Sequence, residues 1–205
     1  MRTEYNIDKM FTYLKGYLMC ANMTESLRAL QFAREKHQGQ FRKEGTPYII
    51  HPLKMAFYAV ALEVRDDNLI ATILLHDVVE DCNVLVSNLP FNDTIKTAVK
   101  LMTIKVFPGE TKEETKKKYF RQLLESKYAV LCKAFDRYDN LCSMAGILEN
   151  QAIKKNINET NELLLPVLKE AKEKWMDLSN ILFILRQNIR GINDSLYEMY
   201  VKKES

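Results

Sequence analysis

Apolar residues recur along this chain at three- and four-residue steps, the signature of amphipathic helices. Met10, Tyr13, Leu14, Tyr17 and Leu18 mark one helix, and Leu27, Leu30, Phe32 and Ala33 mark the next, with Thr24 or Ser26 as its cap. Gly39 to Pro52, holding Gly45, Pro47 and polar residues between, reads as a loop that the chain leaves through a helix over Leu53 to Val64. Asp66 and Asp67 favour a helix start through the macrodipole. The run from Leu69 to Val79 is apolar nearly all round, which predicts a buried central helix ending in charge at Glu80 and Asp81. Asn92 or Asp93 can cap a helix through Met102, Gly109 and Thr111 precede another over Glu113 to Leu124, and Tyr128 to Leu148 is a further buried helix. Two long helical stretches complete the chain, Lys154 to Trp175 and Leu178 to Tyr200, and Pro166 should kink the first or mark a break in it.

Composition strengthens the all-α reading. Only 6 Gly and 5 Pro leave little material for a turn-rich β protein, while 47% hydrophobic and 28% charged residues exclude disordered and low-complexity classes. At 205 residues, with no repeat, linker or composition shift, one domain over residues 1–205 is expected. The net charge of +3 is too small to imply a nucleic-acid partner. The lysine clusters Lys116 to Lys118 and Lys169 to Lys174 have acids at helical spacing and read as solvated faces. No stretch approaches the roughly 20 apolar residues of a membrane span, and the start, with Arg2, Glu4, Asp8 and Lys9, lacks a signal-peptide pattern. Cys20, Cys82, Cys132 and Cys142 form no CxxC pair, so reduced thiols in a cytoplasmic protein without a membrane partner are expected. The pattern sets no oligomeric state.

Chemistry concentrates where apolar helices suddenly turn polar. In Leu74-Leu75-His76-Asp77-Val78-Val79-Glu80-Asp81, four ionisable side chains interrupt a buried helix, where they would be costly unpaired. A divalent cation would compensate them, since His and Asp are ligands for Mn, Fe or Zn; a hydrogen-bonded core histidine is the plainer alternative for His76. On a helix His76 faces Glu80, and Asp77 faces Glu80 and Asp81, which sets acids beside any bound ion. A second apolar run, Ala129 to Phe135, opens in the same way into Asp136-Arg137-Tyr138-Asp139-Asn140, with Asp136 and Asn140 on one face. Asp136 could equally pair with Arg137 or a neighbouring lysine. In the early loop, Arg42 and Lys43 offer positive charge to phosphate oxygens, or form a surface pair, and His51 stands where the chain re-enters a helix. No P-loop, Rossmann fingerprint or serine nucleophile elbow competes with this set.

Three blocks, Gly39-Gln40-Phe41-Arg42-Lys43-Glu44-Gly45-Thr46-Pro47-Tyr48-Ile49-Ile50-His51-Pro52, Leu74 to Asp81, and Lys133-Ala134-Phe135-Asp136-Arg137-Tyr138-Asp139-Asn140-Leu141, resemble in order and spacing the HD-type hydrolase domain of RelA/SpoT proteins, which hydrolyse the alarmone ppGpp. A fainter fourth block, Glu159-Thr160 to Pro166, extends the match, so that the resemblance covers roughly Thr24 to Leu168 and leaves residues 169–205 as a helical extension. It implies an HD-domain helical bundle with one Mn²⁺ held by His51, His76, Asp77 and Asp136. It also implies that Glu80 and Asp81 activate or orient water, that Arg42 and Lys43 lie near the nucleotide, and that Asn140 is on the substrate side. The implied reaction removes pyrophosphate from the ribose 3′ position of ppGpp or pppGpp, giving GDP or GTP. With no room in 205 residues for the synthetase and regulatory domains of the long members, the resemblance is to a stand-alone small alarmone hydrolase. Cys82 stands where a Thr is usual, Tyr138 where an aliphatic residue is usual, and Leu141-Cys142-Ser143-Met144 lacks the basic residue common after the asparagine. These departures bear on nucleotide selectivity and leave the metal and water chemistry intact. The alternatives are an HD phosphohydrolase for another nucleotide or sugar phosphate, and a catalytically silent nucleotide sensor.

Overall fold

A computed structural model describes residues 6–106 and 108–202; Arg2 and Glu4 of the charged start lie outside them. The chain divides between Thr103 and Ile104 into two compact units, both helical. The first holds α1 (Ile7–Cys20), α2 (Thr24–Lys36), α3 (Ile50–Ala61), α4 (Asp67–Leu75), the single turn α5 (Val78–Asp81) and α6 (Asp93–Met102). The second holds α7 (Lys112–Gln122), α8 (Lys127–Met144), α9 (Asn150–Glu159), α10 (Leu165–Lys174) and α11 (Ser179–Tyr200). Among the described residues there is no strand, only an isolated antiparallel bridge between Phe41 and Pro47. No disulfide joins the four cysteines. No described helix is long and apolar enough to cross a membrane.

In the first unit α4 is the central element. Leu69 to Leu75 are all buried, and the helix packs against α2, α3 and α6. Its start solves two capping problems with adjacent acids. Asp66 caps α4 itself, accepting from the Leu69 N–H at 3.1 Å. Asp67 instead reaches across to α2, where it accepts from the backbone N–H groups of Glu25 at 3.0 Å and Ser26 at 2.7 Å and from the Ser26 hydroxyl at 2.6 Å. Neither Thr24 nor Ser26 therefore caps α2, contrary to the sequence expectation: the N-cap position falls on Met23, which has no capping side chain. A residue 41 positions away supplies the oxygen instead. Asp67→Ala should accordingly destabilise the fold by roughly 1–3 kcal/mol, read as a lowered urea midpoint with unchanged slope.

Other boundaries also differ from the sequence reading, among them the start of α9 at Asn150 rather than Lys154. Helix α3 begins at Ile50 rather than Leu53, so that His51 and Pro52 lie in its first turn, where a proline costs no hydrogen bond. The expected helix over Leu69 to Val79 is interrupted at His76 and Asp77, the latter with φ −101° and ψ −3°. The buried helix of the second unit stops at Met144, short of Leu148, and Gly146 follows with φ +70°, a conformation glycine adopts without strain. Pro166 does mark a break: a π-helical turn, Thr160–Leu164, separates α9 from α10. In the second unit α8 packs against α10 and α11. Most of the lysine cluster is solvated as expected, with Lys117 paired to Glu113 at 2.6 Å and Lys118 to Glu110, while the half-buried Lys116 turns to Glu159.

Candidate metal centre

All three histidines of the chain are buried, and all belong to the first unit. With Tyr48 they form a row of rings. His37 stacks on Tyr48 at 4.7 Å, Tyr48 meets His51 edge-on at 6.0 Å, and His51 meets His76 at 5.2 Å. Asp77 lies alongside the row, within reach of Tyr48, His51 and His76. One donor atom from each of His51, His76 and Asp77 lies within 4.8 Å of the other two.

The break between α4 and α5 makes this convergence possible. In a continuous helix His76 and Asp77 would project about 100° apart. Here the turn sets His76 Nε2 2.8 Å and His51 Nε2 3.9 Å from Asp77 Oδ2. His51 arrives from the first turn of α3, because that helix starts three residues earlier than its apolar pattern suggests.

The hydrogen bond on the far side of His76 decides what its near side can do. Nδ1 lies 2.9 Å from the Ile73 carbonyl, which only accepts, so this nitrogen carries a proton. Nε2 then faces the carboxylate oxygen either with a second proton or with a lone pair. Two lone pairs at 2.8 Å repel, and a cation between them removes the repulsion. A backbone-anchored imidazole opposite a carboxylate is the usual outer arrangement of a metal-ligating histidine, and two imidazoles with a carboxylate suit first-row divalent ions. The residues present fit such an ion.

Around this core lie groups to which the sequence reading assigned no role. The Tyr48 hydroxyl donates to Asp77 Oδ2; burial first, and then the charge of Asp77, push that hydroxyl far above the ordinary tyrosine range, so it stays protonated. His37 Nδ1 donates to Gln40 Oε1 at 2.7 Å, and burial holds this imidazole below the usual histidine value, favouring its neutral form. Gln40 Nε2 in turn donates to the main-chain carbonyl of Asp81 at 2.9 Å. Tyr48 and Gln40 sit within the first recognised block, yet their partners lie 29 and 41 residues away, and no local pattern reports such pairings.

The remaining candidates fall in three places. Glu80 and Asp81 are exposed on α5, immediately beyond Asp77. Arg42 and Lys43 occupy a tight turn closed by Arg42 N to Thr46 O at 2.8 Å and Gly45 N to Arg42 O at 2.9 Å; Gly45 takes φ +81° there. Arg42 is half-buried and lies 3.5 Å from Glu44, whereas Lys43 is exposed. Asp136 and Asn140 belong to the second unit, one turn apart on α8. There Asp136 is buried, pairs with Lys133 at 2.8 Å and accepts from Asn140 Nδ2 at 2.6 Å. A neighbouring lysine thus does pair with Asp136, while Arg137 pairs with Glu159 and donates to Asn156 at 3.1 Å. Burial alone would lower the Lys133 ammonium, but Asp136, with Tyr119, holds it above the usual lysine range. The lysine is therefore charged beside the Asp136 carboxylate.

Comparison with known proteins agrees in family. The HD-domain family model matches residues 29–167, across both units. A guanosine-3′,5′-bis(diphosphate) 3′-pyrophosphohydrolase of Aquifex aeolicus is 34% identical over 164 residues, covering 74% of this chain and 23% of that protein. A protein of the same name from Spiroplasma citri is 29% identical over 192 residues, covering 87% and 25%. The chain therefore spans about a quarter of the length of the curated relatives it matches. Among solved structures, one described as a metazoan ortholog of SpoT that hydrolyses ppGpp superposes with a TM-score of 0.62 at 22% identity, covering 85% of this chain and 94% of that one. At that identity the likeness speaks for the fold.

Proposed function

The chain belongs to the HD-domain family, and on that premise we propose that it is a Mn²⁺-dependent hydrolase that removes the 3′-pyrophosphate of ppGpp or pppGpp. The observation that carries the reading is the convergence of His51, His76 and Asp77 directly before the exposed acids Glu80 and Asp81. The substrate comes from the relatives, which are named for it. We keep residues 1–205 as one hydrolase domain, because the family match runs across the division at Thr103, and we keep Asp136 as a fourth ligand on the match of its sequence block. No nucleic-acid or membrane partner is proposed, and the compartment proposed is the cytoplasm.

When bound, a divalent cation supplies Lewis acidity, acidifying water and withdrawing charge from a phosphoryl oxygen. The chain's own groups do the rest. Glu80 or Asp81 takes the proton of the attacking water, a role worth roughly 10²–10⁴ in rate. Arg42 and Lys43 set positive charge against the several negative charges of the substrate, and Asn140 offers an amide to the nucleotide. Water attacks the 3′-linked phosphorus, the bond to the ribose 3′ oxygen breaks, and GDP or GTP leaves with pyrophosphate as the other product.

Incubating Mn²⁺-loaded protein with ppGpp should yield GDP and pyrophosphate in equal amounts. Equal hydrolysis of an adenine nucleotide bearing a 3′-phosphate would overturn the substrate assignment in favour of a broader phosphohydrolase. Tight ppGpp binding without product would make the chain a sensor.

A further inference from the structure

We propose that Tyr48 is a positioning residue of the metal centre, holding both His51 and Asp77 in their ligating orientation; this rests on the reading of that cluster as a metal site. Four contacts of one side chain and its peptide support it. The hydroxyl donates to Asp77 Oδ2. The ring meets His51 edge-on at 6.0 Å and stacks on His37 at 4.7 Å. The Tyr48 carbonyl accepts from the His51 backbone N–H at 2.9 Å, which ties the tyrosine to the first turn of α3. Two ligand-bearing elements, separated by 26 positions in sequence between His51 and Asp77, thus meet on a single residue.

The chemistry suits the task. Carboxylate ligands are oriented by outer hydrogen bonds whose loss costs about 10–100-fold in metal affinity. A phenol donates one proton to the carboxylate, leaves its negative charge in place and adds no competing positive charge, which a lysine or arginine would. The ring is clamped between His37 and His51, so its single hydroxyl rotor points where the stack sends it. Behind it, the His37–Gln40 bond and the Gln40 bond to the Asp81 carbonyl fasten the same loop to α5. The loop that carries Arg42 and Lys43 is thereby fixed to the helix break that carries Asp77.

Tyr48→Phe separates orientation from packing, because it keeps both ring contacts and removes only the hydroxyl. Calorimetric titration of Mn²⁺ into the metal-free proteins should give one site in wild type, a Kd about 10–100-fold weaker in Tyr48→Phe with unchanged stoichiometry, and no comparable site in Asp77→Asn. Activity of Tyr48→Phe on ppGpp should recover at saturating Mn²⁺ with an unchanged KM, since the residue acts through the metal. A purely structural tyrosine would lower the melting temperature of the metal-free protein and leave Mn²⁺ affinity alone. Wild-type affinity in Tyr48→Phe overturns the proposal while the metal centre stands. Equal Mn²⁺ binding by wild type and Asp77→Asn overturns the metal centre itself, and the positioning role with it.

Discussion

Asp77→Asn is expected to abolish stoichiometric Mn²⁺ binding and turnover together. The amide keeps the shape of the carboxylate but loses its charge, so the site retains its packing while the donor between His51 and His76 becomes neutral. The loss should exceed the roughly 10–100-fold that follows removal of an outer hydrogen-bond partner, because here a ligand itself is lost. The same outcome is expected for His51→Ala, His76→Ala and Asp136→Ala. His51 and His76 are each 2% exposed, so their truncation also leaves a cavity, and a stability cost will accompany the loss of metal. Asp77→Asn is therefore the cleaner experiment, with metal content measured by elemental analysis after desalting and folding checked by circular dichroism. Unchanged metal content in all four variants would return His76 to the role of a hydrogen-bonded core histidine and Asp136 to that of a partner for Lys133.

What the sequence reveals of this fold follows the range over which each force acts. One local cap was legible, since Asn92 accepts from Ile95 N–H at 3.1 Å, and Thr111, read as preceding the next helix, forms a capping box with Glu114. The cap of α2 was not, because its oxygen comes from Asp67 on another helix. Hydrophobic periodicity located the buried run from Leu69, yet it carries no information about a break inside a segment that is apolar on every side. The interruption at His76 and Asp77 is where the His51, His76 and Asp77 donors converge. Ionisable residues in an apolar run drew attention to the segment that holds the break, since burying them demands compensation whatever the backbone does. The geometry of that compensation depends on Tyr48 and on the early start of α3, neither of which has a local signature. At Pro166 the missing N–H predicted a break; the chain meets it with a π-turn.

Glu80→Gln and Asp81→Asn should separate chemistry from binding. Both substitutions preserve size and most hydrogen bonding and remove one negative charge. Mn²⁺ and ppGpp should still bind, while kcat falls by at least about 10²-fold in whichever variant has lost the base. The Asp81 N–H donates to the Asp77 carbonyl at 2.8 Å, and Gln40 donates to the Asp81 carbonyl at 2.9 Å. The backbone beneath this carboxylate is thus fastened on both sides of its Cα. A general base must meet its water within about 3 Å, and a fixed backbone lowers the cost of holding it there. Asp81→Asn is therefore expected to lower single-turnover cleavage by at least about 10²-fold. The double variant should be no slower than the worse single one if the two acids act as a unit. Rapid-quench cleavage of ppGpp at saturating Mn²⁺, with nucleotide affinity measured separately, reads all three variants. Full activity in both single variants would exclude either acid as the base and shift the proton transfer to a group outside α5.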